Sequence, residues 1–425
     1  MSSIKDLKAL TFLVYGLGLS GRSVVKFFKK KNIKNFKVWD DKKKDLFKNN
    51  RVKNLKKTLN SVDYIVLSPG VSLIEKKFLN KYKKKIITDI DFLYLTNKNF
   101  KSIVVTGTNG KSTTCKLLSH LMKQNKFRVL LGGNIGTPVL DLKIKKNSYV
   151  IIEASSFQLS HSKFIRPSYA FLLNITNDHL DWHGNSQNYI NSKFRIFKLQ
   201  TNSQFALINY KLKNIFKKKK YVSQLIIPKE KNYNKVKNKI QNNYLKSSVN
   251  DENMSFTFEF SKLLKISEKN FIVSLNSFIG LPHRYEIFMK KKNITFINDS
   301  KATSYKSTKH ALLNSKNIYW ILGGLPKPKD KILLSGVIKN INKCYLVGKN
   351  INFFQKQIKK KIEYQITYNL KKALFAIFKD IKNIKNDKST ILLSPAAASF
   401  DQFENFEKRG EEFKRLSRLY ARKFI

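Results

Sequence analysis

Residues 106–113 read Thr106-Gly107-Thr108-Asn109-Gly110-Lys111-Ser112-Thr113, directly after the apolar run Ser102–Val105 and before the helical stretch Cys115–Gln124. A strand that runs into a glycine loop and then a helix is the context a phosphate loop requires. Glycine lets the backbone curl until its N–H groups and the helix N-terminus face an anion. Lys111 can then balance the charge of β/γ-phosphates, and the Ser112 hydroxyl can reach a magnesium ion. The string is not a strict nucleotide-loop signature, because Val105 stands where its first glycine would be. A glycine turn with an exposed lysine is the plainer alternative, but the full string in this position favours nucleotide binding.

Downstream of the loop, three features suggest a reaction centre. Glu153 ends the apolar strand Tyr149–Ile152 and opens Glu153-Ala154-Ser155-Ser156-Phe157-Gln158-Leu159. An acid at the carboxyl end of a parallel strand faces the crevice where such sheets bind ligands. The second feature, Asn174-Ile175-Thr176-Asn177-Asp178-His179-Leu180-Asp181-Trp182-His183, directly follows the strand Ala170–Leu173 and brings several ligand-capable side chains to the same edge. The third is Lys193, beside Phe194 and near Phe197. Read alone, it is a surface lysine.

At the N-terminus, Gly16-Leu17-Gly18-Leu19-Ser20-Gly21 fits the dinucleotide turn, with Asp40 and Asp41 about twenty residues on. Such a turn places a pyrophosphate at a helix N-terminus, in a nicotinamide cofactor or in another nucleotide diphosphate. Taken alone it supports an NAD-dependent oxidoreductase. The phosphate loop at 106–113 argues against that, since a dehydrogenase has no use for one. Ser68-Pro69-Gly70-Val71, after the strand Tyr64–Leu67, is a further strand-to-turn signal.

Short strands alternate with helical stretches throughout, which predicts parallel sheets in α/β layers. Expected strands include Thr11–Tyr15, Lys37–Asp40, Tyr64–Ser68, Ser102–Val105, Tyr149–Ile152, Ala170–Leu173, Ile294–Asn298, Tyr319–Leu322, Cys344–Val347 and Thr390–Leu393. Three domains follow, with junctions near Asn97 and Gly280: residues 1–97, 98–280 and 281–425. The lysine- and asparagine-rich stretch from about Tyr210 to Ser248 shows little periodicity, and peripheral structure is expected there.

The net charge of +56 would by itself suggest nucleic acid or an anionic membrane as partner, and a nucleic-acid-stimulated ATPase as function. Yet lysine runs such as Lys29–Lys31, Lys83–Lys85, Lys217–Lys220, Lys290–Lys292 and Lys359–Lys361 are scattered along the whole chain among Asn and Ile. Compositional drift explains that pattern better than a binding face, so neither nucleic acid nor membrane is an expected partner. Only two cysteines, Cys115 and Cys344, are present, far apart and in no ligand spacing, which suits a reducing compartment. The apolar run Leu10–Leu19 is broken by Gly16 and Gly18, fits a strand entering a turn, and leaves a cytoplasmic chain as the expectation.

Taken together and in order, Gly107–Thr113, Glu153 with Ser155-Ser156, and Asn174 with Asp178-His179-Leu180-Asp181 resemble the Mur ligase superfamily, which also includes folylpolyglutamate synthase. Further strings resemble the branch that joins D-glutamate to UDP-N-acetylmuramoyl-L-alanine. They are Ser155–Leu159, Gly280-Leu281-Pro282-His283-Arg284, Asn298-Asp299-Ser300-Lys301-Ala302-Thr303, and Leu393-Ser394-Pro395-Ala396 with Phe406 and Arg409-Gly410. The likeness covers nearly the whole chain and is weakest across 201–248.

This resemblance implies an N-terminal Rossmann-like domain, a central P-loop-type ATPase domain with a mainly parallel sheet, and a C-terminal Rossmann-like domain. It implies ATP and two Mg2+ ions as cofactors, and a monomer. Lys193 falls where that family carries a lysine carbamylated by CO2, which would share the second magnesium with His179; Ser112 and Glu153 would serve the magnesium on the β/γ-phosphates. Asn253, Arg284, Asp299 and Lys301 would join Gly107–Thr113 at ATP. Gly18, Leu19, Ser20, Asp40, Ser68, Pro69, Gly70, Asn134 and His179 would hold the uridine-diphosphate substrate. Thr303, Lys327, Ser399 and Phe406 would hold D-glutamate. Departures from the family's pattern are Leu325 in Gly323-Gly324-Leu325-Pro326-Lys327, Ala397 in place of a common Cys, and Trp182 in place of a frequent basic residue. A sister ligase adding another amino acid remains an open alternative.

Overall fold

Strand after strand in this chain is buried on both sides, and three parallel-type sheets result. In the computed structural model, which describes residues 4–43, 45–97, 99–176, 178–246, 250–327, 330–382 and 388–425, the chain divides into two compact units, 1–278 and 279–425. The first unit holds two sheets and the second holds one.

The first sheet comprises β1 (Phe12–Tyr15), β2 (Phe36–Trp39), β3 (Tyr64–Leu67) and β4 (Ile86–Ile87), in the order β2-β1-β3-β4, all parallel. Its side chains alternate by the two-residue period of a strand. Phe12 and Val14 face one apolar cluster, while Leu13 and Tyr15 face the other. Because β1 lies between β2 and β3, chain connections leave it in opposite directions and open a crevice at its carboxyl end.

The second sheet comprises β5 (Phe100–Thr106), β6 (Val129–Gly133), β7 (Ser148–Glu153), β8 (Tyr169–Leu172), β9 (Phe205–Ile208) and β10 (Gln224–Ile226). All its pairs are parallel, in the order β10-β9-β8-β5-β7-β6. Ile103 and Val105 pack on one face and Val104 on the other. Burying each such side chain contributes about 1.5–3 kcal/mol, which holds β5 in the centre of the sheet. That centre is also the point where strand order reverses, so the loop after β5 opens into a ligand crevice.

The second unit is built on β11 (Glu286–Lys291), β12 (Ile294–Asn298), β13 (Ile318–Gly323), β14 (Ile341–Val347), β15 (Tyr364–Tyr368) and β16 (Ser389–Leu393). The order is β11-β12-β16-β13-β14-β15, parallel except for the antiparallel hairpin β11–β12. Trp320 and Leu322 fill one core, Tyr319 and Ile321 the other.

The α/β class and parallel sheets expected from the sequence are those of the structure. Each of the ten expected strands is present; eight agree within one residue at each end, while β5 begins two residues and β14 three residues earlier than expected. Six strands were not anticipated: β4, β6, β9, β10, β11 and β15. β4 and β10 are very short, β11 and β15 are partly exposed and β6 ends in glycines, so their local pattern is weak; β9 is as long and as apolar as several expected strands, and its omission has no such reason. The aperiodic stretch after Tyr210 forms short helices, Tyr210–Leu212, Lys213–Lys218, Glu230–Lys237 and Asn243–Lys246, around the edge strand β10. Among the described residues no helix is long and apolar enough to cross a membrane.

Candidate active site

The loop after β5 is held from three sides. Gly107 has φ +154 and Gly110 φ +82, the left-handed region that favours glycine. A Cβ on Gly110 would lie 2.2 Å from Asn253 Oδ1, so the position has neither conformational nor steric room for a side chain. The helix Lys111–Gln124 begins with Gly110 as its N-cap and no side-chain cap, leaving the first-turn N–H groups open to an anion. Lys111 Nζ folds back to donate to the Gly107 and Thr108 carbonyls, both at 2.9 Å. Ser112 and Thr113 are buried on the first turn.

Register places the acid against this loop. Glu153 pairs with Val105 across β5 and β7 and with Gly133 across β6 and β7. Asn134 N donates to the Glu153 carbonyl at 2.8 Å, and Asn134 Nδ2 to Glu153 Oε1 at 3.0 Å. The other carboxylate oxygen, Oε2, is buried without a hydrogen-bond partner. A buried carboxylate oxygen left open is costly unless something cationic meets it, and here it fits a bound cation. Among the described residues no three His, Cys, Asp or Glu side chains gather as a metal set. One carboxylate and the Ser112 hydroxyl instead suit Mg2+, which takes most of its oxygen ligands from water and phosphate.

Lys193 corrects the reading of it as a surface lysine. The helix Ser186–Phe194 is capped by Asn185 through Asn188 N, and it turns Lys193 inward until 1% of it is exposed. Nζ donates to the Gly107 carbonyl at 2.8 Å and lies 4.6 Å from the Tyr189 ring centroid. Burial, with the nearby Lys111 charge, holds its ammonium well below the usual lysine range; Asp178 opposes this only in part. Lys193 is therefore drawn toward the free amine, the form that reacts with CO2. Tyr189, one turn earlier, places its hydroxyl 2.8 Å from Thr108 Oγ1, so one helix face braces the loop at two points.

His179 sits at φ 52 as N-cap of the turn Leu180–His183, about half exposed, 3.5 Å from Asp178 Oδ2 and edge-on to Phe157 at 4.8 Å. His183 is the buried one: its Nε2 lies 3.0 Å from Ser156 Oγ, and burial together with the Lys193 charge pulls its pKa down to about 4. Asn253 is buried beneath the loop, where Oδ1 accepts from Thr114 Oγ1 at 3.2 Å. It supports the loop from below. Asn177 lies outside the described residues.

The N-terminal turn is built to the same plan. Gly16 has φ +94, and a Cβ on Gly21 would lie 1.9 Å from the Gly16 carbonyl oxygen, so helix Leu19–Lys30 can approach only because Gly21 is bare. Ser68 Oγ donates to that carbonyl at 2.6 Å, and Pro69 and Gly70 turn away after β3. Asp40 Oδ2 accepts from Leu17 N at 2.6 Å, and Oδ1 from Lys42 N and Lys43 N. Burial works against the Asp40 carboxylate, but these N–H bonds hold its pKa below the usual range. Gly18 is the helix N-cap without a side-chain bond, and Leu19 is exposed.

Asp89, which the sequence did not single out, is buried at the start of helix Asp89–Thr96. It takes a hydrogen bond from Ile90 N at 3.0 Å, and the nearby Ser20 and Gln158 side chains favour its charged form. Gln158 in turn closes a capping box with Ser155. Asp89 thus lies between the N-terminal turn and the segment that follows Glu153, within electrostatic reach of Ser20 on one side and Gln158 on the other. Burial pushes its carboxyl up to about 6.

In the second unit the carboxyl ends of β12, β16 and β13 lie side by side, and three expected site segments leave from them: Asp299–Thr303, Ser394–Ser399 and Gly323–Lys327. Asp299 is buried, accepts from Ser394 Oγ at 2.6 Å and Tyr285 N at 3.1 Å, and is pushed up to about 7 by burial. Arg284 Nε is buried without a partner. Lys301 Nζ lies 4.7 Å over the Phe406 ring, and Ser399 is buried, as is Ala397 two residues before it. Leu325 pairs by backbone with Ala398, so its departure from a polar residue leaves the bend intact. Arg409, quoted above only as part of a string and given no role, has one here. It is buried, donating from Nη2 to the Ser300 and Ala397 carbonyls at 2.7 and 2.9 Å and from Nε to Ser300 Oγ at 3.0 Å. It pins two of the three segments together.

Comparison with known proteins adds family-level evidence. Residues 105–278 match the Mur ligase middle domain, and residues 11–88 match the Mur ligase MurD-like N-terminal domain. A UDP-N-acetylmuramoylalanine--D-glutamate ligase of Rickettsia felis is 35% identical, with 96% of this chain and 97% of that protein covered. A ligase of the same name from Buchnera aphidicola is 37% identical over 96% and 97%. Among solved structures, a MurF ligase from Thermotoga maritima in complex with ADP aligns over 98% of this chain and 99% of its own, with a TM-score of 0.58 at 16% identity. The UDP-N-acetylmuramate-alanine ligase from the same organism covers 97% and 100%, with a TM-score of 0.56 at 15% identity. At these identities the structural likeness speaks for the fold.

Proposed function

The chain belongs to the Mur ligase family, and from that premise we propose how its residues carry the reaction. The activity is ATP-dependent addition of D-glutamate to UDP-N-acetylmuramoyl-L-alanine, a step of peptidoglycan precursor synthesis. The observation that carries the residue-level reading is the convergence of Glu153, Asn134 and Lys193 on the loop 107–113.

A carboxylate is a poor electrophile until one oxygen becomes a leaving group. Transfer of the γ-phosphoryl group of ATP to the alanyl carboxylate supplies that group as an acyl-phosphate. Loop N–H groups and the helix N-terminus bind the phosphates, and Lys111 neutralises charge that builds on the transferred group. Bound magnesium, of which we propose two ions, would lower the repulsion between the phosphates and the attacking carboxylate. Ser112 and Glu153 are the groups suited to one ion, and His179 with a carbamylated Lys193 to the other. Carbamylation joins the nitrogen of the neutral Lys193 amine to the carbon of CO2 with loss of one proton; counted from the ammonium form two protons leave, and a buried cation becomes a carboxylate. The drive of the site toward the neutral amine supports it.

The D-glutamate amine then attacks the acyl carbon, and the tetrahedral intermediate expels phosphate. Thr303, Lys327, Ser399 and Phe406 are proposed for D-glutamate, whose two carboxylates call for cationic and hydroxyl partners. Arg284, Asp299, Lys301 and Asn253 are proposed for ATP. Gly18, Leu19, Ser20, Asp40, Ser68, Pro69, Gly70, Asn134 and His179 are proposed for the uridine-diphosphate substrate. Domain limits of 1–97, 98–280 and 281–425, a monomer and a cytoplasmic location complete the proposal. Its test is phosphate release by the purified chain across a panel of amino acids and UDP-muramoyl acceptors. Release that requires both UDP-N-acetylmuramoyl-L-alanine and D-glutamate supports it; release with another pair, or with neither, sinks it.

A further inference from the structure

The loop 107–110 is clamped by a side chain whose orientation a more distant carboxylate dictates. Asn174, just past β8, accepts at Oδ1 from Asn109 N at 2.9 Å and donates from Nδ2 to the Asn109 carbonyl at 3.3 Å. Its own carbonyl accepts from Thr108 N at 2.9 Å. The second proton of Nδ2 goes to Glu252 Oε2 at 2.6 Å. Glu252 Oε1 in turn accepts from Asn209 Nδ2 at 2.6 Å. Asn209 is locked as well, because its Oδ1 accepts from Lys211 N at 2.9 Å where the chain turns after β9.

Both asparagines therefore present N–H groups to Glu252 by construction: in each, the amide oxygen is already committed to a backbone donor. Only a group that accepts on both sides fits between two such donors. A glutamine could satisfy one asparagine but would turn its own N–H toward the other. One amide must then flip, and the bond it flips away from is Asn109 N or Lys211 N. We propose that Glu252 is a positioning residue for the ATP loop, holding Asn174 in the one amide orientation that clamps Asn109. It acts through Asn174 and touches neither phosphate nor substrate. This inference rests on the reading of residues 107–113 as the ATP site.

The test compares four full-length chains by calorimetric titration with ATP and, separately, with UDP-N-acetylmuramoyl-L-alanine: wild type, Glu252→Gln, Asn209→Asp and the double variant Glu252→Gln/Asn209→Asp. Glu252→Gln is expected to weaken ATP binding roughly tenfold, the lower end for one lost charge-assisted hydrogen bond, with the UDP substrate bound as before. In the double variant, the carboxylate introduced by Asn209→Asp accepts both from Lys211 N and from the glutamine amide, whose oxygen stays free for Asn174. The total charge is unchanged, and ATP affinity is expected within about twofold of wild type. Asn209→Asp alone sets two carboxylates face to face and is expected to lose ATP affinity. Glu252→Gln binding ATP like wild type overturns the inference. So does a double variant no better than Glu252→Gln, or an equal loss of both ligands in every variant. A wild-type chain that binds no ATP overturns the functional reading and this inference with it.

Discussion

Lys193 donates to the carbonyl of Gly107 at 2.8 Å across a sequence separation of 86 residues, and it shares that acceptor with Lys111 Nζ at 2.9 Å. Two lysines on one carbonyl oxygen, one of them almost wholly buried, make an arrangement that unmodified ammonium groups strain against. Conversion of Lys193 to a carbamate would turn that repulsion into attraction.

Lys193→Arg keeps the positive charge but cannot take up CO2. Turnover is expected to fall by about 100-fold, the cost of losing one charge-stabilising group, with ATP affinity changed only a few-fold. Steady-state phosphate release and labelled-CO2 NMR provide the check, and a variant with near-normal turnover would count against carbamylation. Burial depresses the Lys193 pKa, so the unmodified lysine costs stability whenever the pH lies below its unfolded pKa. Lys193→Met should accordingly melt higher than wild type in CO2-free buffer at neutral pH, the Gly107 carbonyl keeping Lys111 as its donor.

Gly110→Ala combines a left-handed φ of +82 with a Cβ 2.2 Å from Asn253 Oδ1. Backbone strain alone costs about 1–2 kcal/mol, and the overlap adds to it. ATP affinity should drop at least tenfold. A nucleotide titration measures it, and a Gly110→Ala chain that binds ATP like wild type would mean that the loop tolerates a side chain at this position.

Gly21→Ala acts on the other nucleotide turn. Its Cβ would sit 1.9 Å from the Gly16 carbonyl oxygen, so helix Leu19–Lys30 must move away from β1. The KM for the UDP substrate should rise at least tenfold while the KM for ATP stays within about twofold. Equal changes in both would show general unfolding instead.

Asp299 gives a pH signature in the second unit. Its folded carboxyl is raised from 3.8 to about 7, chiefly by burial, so the folded chain keeps a proton that the unfolded chain releases. Its contribution to stability is therefore fully favourable below pH 4 and is lost as pH rises through about 7. Asp299→Asn can still meet both partners, the amide oxygen taking Tyr285 N and the amide N–H facing Ser394 Oγ. Relative to wild type, the variant should gain stability between pH 5 and pH 8, on the order of a few kcal/mol. Urea denaturation at the two pH values measures it, and a pH-independent difference would contradict the assignment.

Contiguous strings determined a good deal by themselves. The glycine turns at 16–21 and 106–113, the alternation of buried strands and helices, and the acid at the end of β7 were all legible. Each depends on φ values or side-chain periods that neighbouring residues impose. The aperiodic stretch after Tyr210 and five of the six unanticipated strands were not, because short or partly exposed strands acquire their conformation from the sheet they join. Only the tertiary structure decided the burial of Lys193, since nothing beside it in sequence distinguishes it from the chain's many solvated lysines. The same holds for Asp89 and Glu252, and for the role of Arg409, which the sequence offered only as part of a string. Ser300 comes to Arg409, Asn174 and Asn209 to Glu252, and Ser20 and Gln158 to the neighbourhood of Asp89 by sheet register and helix packing, from about 40 or more residues away, and the low-dielectric surroundings that give those groups their force exist only once the sheets are assembled.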